Sequence, residues 1–291
     1  MPEIILKDHV ITGDLPKGIT YKEPKLIIDK NLVFKDPIKI TLADDNNETL
    51  EIVVGKSTEI KIILEIRNKS VVPNTYNLKL TAEDNAKVIY LLVADLQSNK
   101  GLIHHFFEAK RDSQLELMGG FVSNILDAKM QARLLGEGSN VHMRAVAVSS
   151  FGNKQNIDIE LVHEAPHSTG LMHNIAIANG DGTVILNGVE KIHQGMIKTD
   201  AYQSLKGIIA SDDATIEVNP ILLIDEHDIT AGHGATVGKL EEQSIYYLMS
   251  RGLSKKEAEK LMINGLLSPL INAITDEPLK ERFLKLVNER L

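Results

Sequence analysis

A chain of 291 residues, 43% hydrophobic and 25% charged, has material for one large or two ordinary domains around a sizeable core. Its net charge of −8 argues against nucleic acid or an anionic membrane as partner, because both select basic surfaces. The absence of cysteine excludes disulfides and any thiolate metal site built by this chain alone. Aromatics are scarce at 4%, so the core is expected to be aliphatic. The first residues, Met1 to Asp8, lack the basic and apolar runs of a signal peptide, and no apolar window reaches 18 residues. The expectation is a soluble cytoplasmic protein.

Residues 1–50 read as an irregular β-rich lead-in. Pro2, Pro16, Pro24 and Pro37 separate short apolar pieces, and Asp44-Asp45-Asn46-Asn47 is a turn signal. From 51 to 238 short alternating runs follow one another, such as Ile60–Ile66, Val88–Val93 and Ile157–Val162. Several share an entry of acidic or small residues: Glu83-Asp84-Asn85, Arg111-Asp112-Ser113, Gly136-Glu137-Gly138, Gly180-Asp181-Gly182 and Ser211-Asp212-Asp213. The residues that open these runs, read as Val88, Leu115, Val141, Val184, Ile216 and Val237, stand roughly 20–45 positions apart, within solenoid range but irregular. A coil of stacked rungs accounts for this pattern, because each rung is too thin to bury its own apolar face. A β-sandwich is the rival, but it would normally show two-residue hairpin turns, and only Asn179-Gly180 and Asn187-Gly188 qualify.

After Gly238 the period becomes helical, giving a small α-helical domain over 239–291. Ser254-Lys255-Lys256-Glu257 has the form of a capping box, Pro269 is expected to interrupt the second helix, and Thr275-Asp276-Glu277-Pro278 opens a last one. A helical unit this small needs to pack on something, and the solenoid end is the expected place. Leu261, Met262, Leu266 and Leu267 form a stripe expected to be partly free for a partner.

Between strands and helices lies Ala231-Gly232-His233-Gly234-Ala235-Thr236-Val237-Gly238, preceded by Asp225-Glu226-His227-Asp228. Glycines beside a single imidazole permit a tight turn or a close approach. Other histidines read as structural. His104 and His105 are adjacent and point to opposite faces of a strand, while His163, His167 and His173 have no spacing that fits one face. Lys198-Thr199-Asp200 reads as a turn network.

Taken together, Lys198-Thr199-Asp200-Ala201-Tyr202-Gln203, Ser211-Asp212-Asp213-Ala214, Asn219-Pro220-Ile221-Leu222, His233-Gly234-Ala235-Thr236-Val237-Gly238 and Tyr246-Tyr247-Leu248-Met249-Ser250-Arg251-Gly252 closely resemble the SufB/SufD family of iron–sulfur cluster assembly scaffolds. His163-Glu164-Ala165-Pro166 ahead of Gly180-Asp181-Gly182 is also similar to the family's pattern, and the resemblance runs over about 80–270 in unbroken order. It implies a right-handed parallel β-helix, C-terminal helices that dock an ABC-type ATPase, and a transient iron–sulfur cluster at the interface with a second SufB/SufD-type subunit. The chain is SufD-like in a short form. SufB-like members carry a cysteine ligand and a Glu after the histidine, where this chain has no cysteine and Gly234; SufD-like members often carry Cys where this chain has Ala231.

The resemblance makes His233 the candidate cluster ligand, with thiolates supplied by a partner. In a homodimer, Glu226 and His227, with Asp228, become candidates. A flavin is a further possible cofactor with no motif behind it. No phosphate-binding Gly-x-x-x-x-Gly-Lys-Ser/Thr loop occurs, so hydrolysis belongs to the ATPase and this chain is expected to be a non-catalytic scaffold. The rival function is a β-helix enzyme acting on polysaccharide through carboxylates near Asp225–Asp228.

Overall fold

The structure, a computed structural model, describes residues 2–7, 9–43 and 46–291. Two residues of the expected turn at 44–47, Asp44 and Asp45, lie outside the described residues. The first strands are β1 (Glu3–Lys7), β2 (Val10–Thr12), β3 (Ile19–Lys22), β4 (Lys25–Ile28), β5 (Ile38–Ala43) and β6 (Asn47–Val54). Then come β7 (Glu59–Asn68), β8 (Asn74–Ala82), β9 (Lys87–Leu96), β10 (Gly101–Ala109), β11 (Gln114–Phe121) and β12 (Leu126–Leu134). The rungs continue through β13 (Asn140–Ser149), β14 (Lys154–His163), β15 (Thr169–Ala178), β16 (Thr183–Ile192) and β17 (Thr199–Ile209) to β18 (Thr215–Ile224) and β19 (Ile229–Gly238).

Successive strands alternate between two sheets. The odd strands β19 to β5 continue through β1 and β2 in one ten-stranded sheet, and the even strands β18 to β4 continue through β3 in a nine-stranded one. Each rung therefore gives one strand to each sheet, and the protein is a parallel β-solenoid, as expected. Among the described residues only the pairs β1–β2 and β3–β4 are antiparallel, and parallel pairing already joins Glu3–Leu6 to Lys39–Leu42.

The irregular spacing read from the sequence has a simple cause. Val88, Leu115 and Val141 are register partners in one sheet, whereas Val184 and Ile216 are partners in the other. Val237 opens nothing: it is the penultimate residue of β19 and pairs with Gly207. A sequence comparison that mixes two sheets cannot show one period.

Side chains alternate across each strand, so every second residue fills the lumen. The lumen is aliphatic with an aromatic plug, in which His105, 1% exposed, stacks on Phe107 at 4.0 Å and meets Tyr90 edge-on at 5.0 Å. Burial pushes the His105 pKa down to about 3, so the ring is a neutral core element, while its neighbour His104 faces solvent.

At one corner of the coil a left-handed residue recurs rung after rung: Asn31, Ser57, Asn85, Asp112, Gly138, His167 and Lys198 all have positive φ. The amides of Asn85, Asp112, His167 and Lys198 donate to Arg111, Glu137, Ile197 and Asp228 carbonyls of the following rung, which ties the corners into a ladder. This gives His167 and Lys198 a backbone role.

Three helices follow: α1 (Glu242–Ser250), α2 (Lys255–Ala273) and α3 (Glu277–Glu289). The capping box forms, with Ser254 Oγ accepting from the Glu257 amide and Glu257 from the Ser254 amide. Pro269 does not interrupt α2, which runs through it; the missing N–H deprives only the Gly265 carbonyl, on an exposed turn. Nor do the helices cap the solenoid end. They lie along its flank, where Ile263, Leu267, Leu270, Leu279, Phe283 and Val287 bury against Ile63, Leu91, Val122, Val146, Val148 and Ile177 on the outer face of the ten-stranded sheet. Burial of each such side chain contributes about 1.5–3 kcal/mol. Gly120 permits the close approach, since a Cβ there would meet Phe283 Cε2 at 2.9 Å. Lys39 fastens the far end by reaching Glu3, Glu65 and Asp276, and Arg282 also binds Glu65. Asp276 is at the same time the N-cap of α3.

Candidate functional site at the open end of the coil

Because the helices lie on the flank, nothing among the described residues closes the last rung. β18 and β19 are the terminal strands of their sheets and contain no fully buried residue. Their lumen-facing side chains Ile216, Val218 and Leu222 are only half-buried, and Val237 is 48% exposed.

His233 sits in this rung. Its register partner is Gln203, and the same column runs down through Met172, Met143 and Leu117 to Tyr90, all lumen residues. His233 therefore belongs to the inward face and is exposed only because no rung lies above it. Gly232 and Gly234 alternate to the outer face, where a Cβ at Gly232 would touch the Tyr202 ring at 3.4 Å and one at Gly234 would meet nothing within 4 Å. They clear the outside of the strand, not the surroundings of the imidazole.

Glu226 and His227 lie in the turn that joins β18 to β19. The Glu226 carboxylate accepts from the backbone amides of Gly195, His227 and Asp228, bonds that hold its pKa below the ordinary range. Asp228 pairs with Lys198 at 2.8 Å. These groups are committed to the turn and leave no free carboxylate pair for glycoside chemistry. Among the described residues no three His, Asp or Glu side chains stand together as a metal site.

A polar group in the lumen escaped the sequence reading. His163 and Glu190 are both fully buried, with His163 Nε2 3.4 Å from Glu190 Oε2 and Nδ1 2.8 Å from Ser168 Oγ. Ser168 Oγ donates to the Ala165 carbonyl, so His163 Nδ1–H donates to Ser168 and Nε2 accepts a hydrogen bond from the Glu190 carboxyl O–H. Burial drives both groups neutral, lowering His163 to about 4 and raising Glu190 well above the carboxylate range. Gln203 spans the same lumen and donates to the Ile221 carbonyl at 2.8 Å. Gly188 makes room for it, since a Cβ there would meet Gln203 Oε1 at 2.7 Å. Only the motif residue His163 carried any sequence signal; Glu190 sits in an ordinary-looking alternating strand.

The helical layer offers a second surface. Leu267 of the expected free stripe is buried and Leu266 half-buried against the solenoid, and Met262 is half-buried, which leaves Leu261. Exposure falls instead on α1, which has no buried residue and presents Tyr246 at 75%, Tyr247 at 56% and Met249 at 43%.

A two-sheet parallel coil with an open last rung and an external helical layer defines a class of protein, and the sequence places this chain in one family of it. Residues 41–266 match the family described as SUF system FeS cluster assembly, SufBD core domain, and the chain belongs to that family. It is similar to the iron-sulfur cluster assembly protein SufD of Bacillus subtilis, 29% identical over 277 residues, covering 91% of this chain and 63% of the relative. The Escherichia coli protein of the same name is 28% identical over 198 residues, 65% of this chain and 46% of the relative. A SufBD family protein of Staphylococcus epidermidis is 28% identical over 146 residues, 50% of this chain and 31% of the relative. The chain thus spans less than two thirds of the length of these relatives. No helix among the described residues is long and apolar enough to cross a membrane.

Proposed function

We propose that this protein is a non-catalytic, SufD-like scaffold subunit for iron–sulfur cluster assembly in the cytoplasm. A second SufB/SufD-type subunit docks on the open rung, and an ABC-type ATPase binds the exposed aromatic face of α1. The observation that carries the reading is the uncapped terminal rung with His233 on its inward face, in a chain of the SufBD core family. An incomplete rung exposes both half-buried apolar residues and strand edges, and a second solenoid end is the natural cover. A neutral imidazole is a borderline ligand suited to iron. With no cysteine in the chain, His233 supplies one ligand to the transient cluster and the partner the thiolates. Glu226 and His227 stabilise the turn beneath it.

The test is His233→Ala in the complex with its partner and ATPase. A half-exposed truncation shifts stability by about 0.5 kcal/mol or less, so folding and assembly persist. Iron and acid-labile sulfide after anaerobic reconstitution are expected to fall severalfold. Full cluster loading in the variant removes His233 as a ligand, and a large drop in melting temperature makes it structural.

A further inference from the structure

The helical layer does not close on the sheet everywhere. Between α2 and the outer face of the ten-stranded sheet remains a cleft of about 310 Å³. Val146 and Ile175 line it from the sheet, Leu266, Leu267, Pro269 and Leu270 from the helix, and Arg144 and His173 supply its polar groups. Among the described residues Arg144 is half-buried and has neither a carboxylate within ion-pair distance nor a hydrogen-bond acceptor. The local field is correspondingly positive. Burial first, then the Arg144 guanidinium and His142, hold the His173 imidazole below its ordinary pKa. Glu116, on the adjoining strand, is paired with His142 at 2.8 Å. Beyond Leu266 an adjoining cleft contains Lys206, Lys239 and Glu241, and Lys239 is already paired with Asp212 at 2.6 Å. Arg144 lines the cleft itself, whereas Lys206 lies in the adjoining one, so an anionic head group belongs at the Arg144 end.

A half-buried guanidinium against apolar walls, in a chain of net charge −8, is costly until an anion completes it. Apolar walls with few polar groups are the usual make-up of a small-ligand site, and the volume lies at the lower end of the range for such sites. At roughly 30 Å³ per heavy atom the space takes about ten of them. We propose that this cleft binds a small organic monoanion, with a carboxylate seated on Arg144 and an alkyl or aryl body of about ten heavy atoms lying along Ile175, Leu266 and Pro269. The site is on the outer face of the sheet whose inner face carries His233, so it stands independently of the cluster reading.

Octanoate is the probe, titrated calorimetrically into the full chain at low ionic strength, with 1-octanol as the uncharged control. A charge-assisted hydrogen bond of about 1.5–3 kcal/mol predicts saturable one-site binding of octanoate and at least tenfold weaker binding of octanol. Arg144→Met should lose at least tenfold while Arg144→Lys retains most of the affinity. Leu266→Trp, which fills the cleft without touching Arg144, should abolish binding. Absence of saturable octanoate binding overturns the proposal. So does equal affinity for octanol, or wild-type affinity in either Arg144→Met or Leu266→Trp. Melting curves of both variants identify a misfolded one, and the other then decides.

Discussion

Burial holds Glu190 and His163 neutral with pKa shifts of opposite sense, and this gives the lumen a pH dependence of its own. The folded state holds Glu190 protonated well above 4.5, so its contribution to stability is present below 4.5 and drains away as pH rises toward its folded value. His163 and His105, lowered to about 4 and 3, act the other way: their contribution is complete above 6.5 and is lost as pH falls. Glu190→Gln keeps the shape and a donor to His163 Nε2 but cannot ionise. Its melting temperature should match wild type near pH 4 and exceed it by several degrees at pH 8, given about 2–4 °C per kcal/mol for chains of 150–250 residues. Melting curves across that range are the check, and a constant offset would mean that Glu190 is charged in the fold. None of this was legible beforehand. His163, His167 and His173 are close in sequence, yet one fills the lumen, one sits at a left-handed corner and one faces outward. Local spacing cannot separate these, because which face a residue takes depends on where the strand ends.

At the scale of elements the sequence was a better guide. Corners occupied by Asn85, Asp112 and Gly138 announced themselves, since those residue types tolerate positive φ. The corner at Lys198 was legible only as part of a turn network, and those at Ser57 and His167 not at all, because stacking against neighbouring rungs imposes the conformation on residues that disfavour it. The helices were legible by period, but their docking site was not: a sheet buried on both faces has no polar alternation to mark the side that receives a helix. This also changes how the α1 surface should be tested. Removing 253–291 would bare Ile63, Leu91, Val122, Val146 and Ile177, so the truncated solenoid would not be a folded control. The double substitution Tyr246→Ala and Tyr247→Ala removes two largely exposed rings, of which Tyr247 carries the Arg251 guanidinium 5.2 Å above it. It is expected to leave the melting temperature within a degree or two and to weaken capture of the ATPase partner at least tenfold, since aromatic anchors dominate such interfaces. Undiminished co-purification would place the docking surface elsewhere.

For the molecule as a whole, the proposed assembly turns on the open rung. Ala235 occupies an inward position in β19, above Leu205, yet is exposed. Ala235→Glu places a charge where a second solenoid would stack, and it should block subunit pairing by sedimentation without lowering the melting temperature of the separate chain. Pairing at wild-type strength would show that this end is not the interface. The flank carries a different consequence, concerning the order in which the chain is made. Rungs bond to their neighbours, so the coil can wind from the N-terminal end as synthesis proceeds. Its clamps wait much longer, because Arg282 reaches back 217 positions to Glu65 and Asp276 reaches 237 back to Lys39. Until α2 and α3 leave the ribosome, a greasy stripe from Ile63 to Ile208 on one flank of the coil stays wet, and a nascent chain stalled in that interval is the form of this protein that chaperones would find.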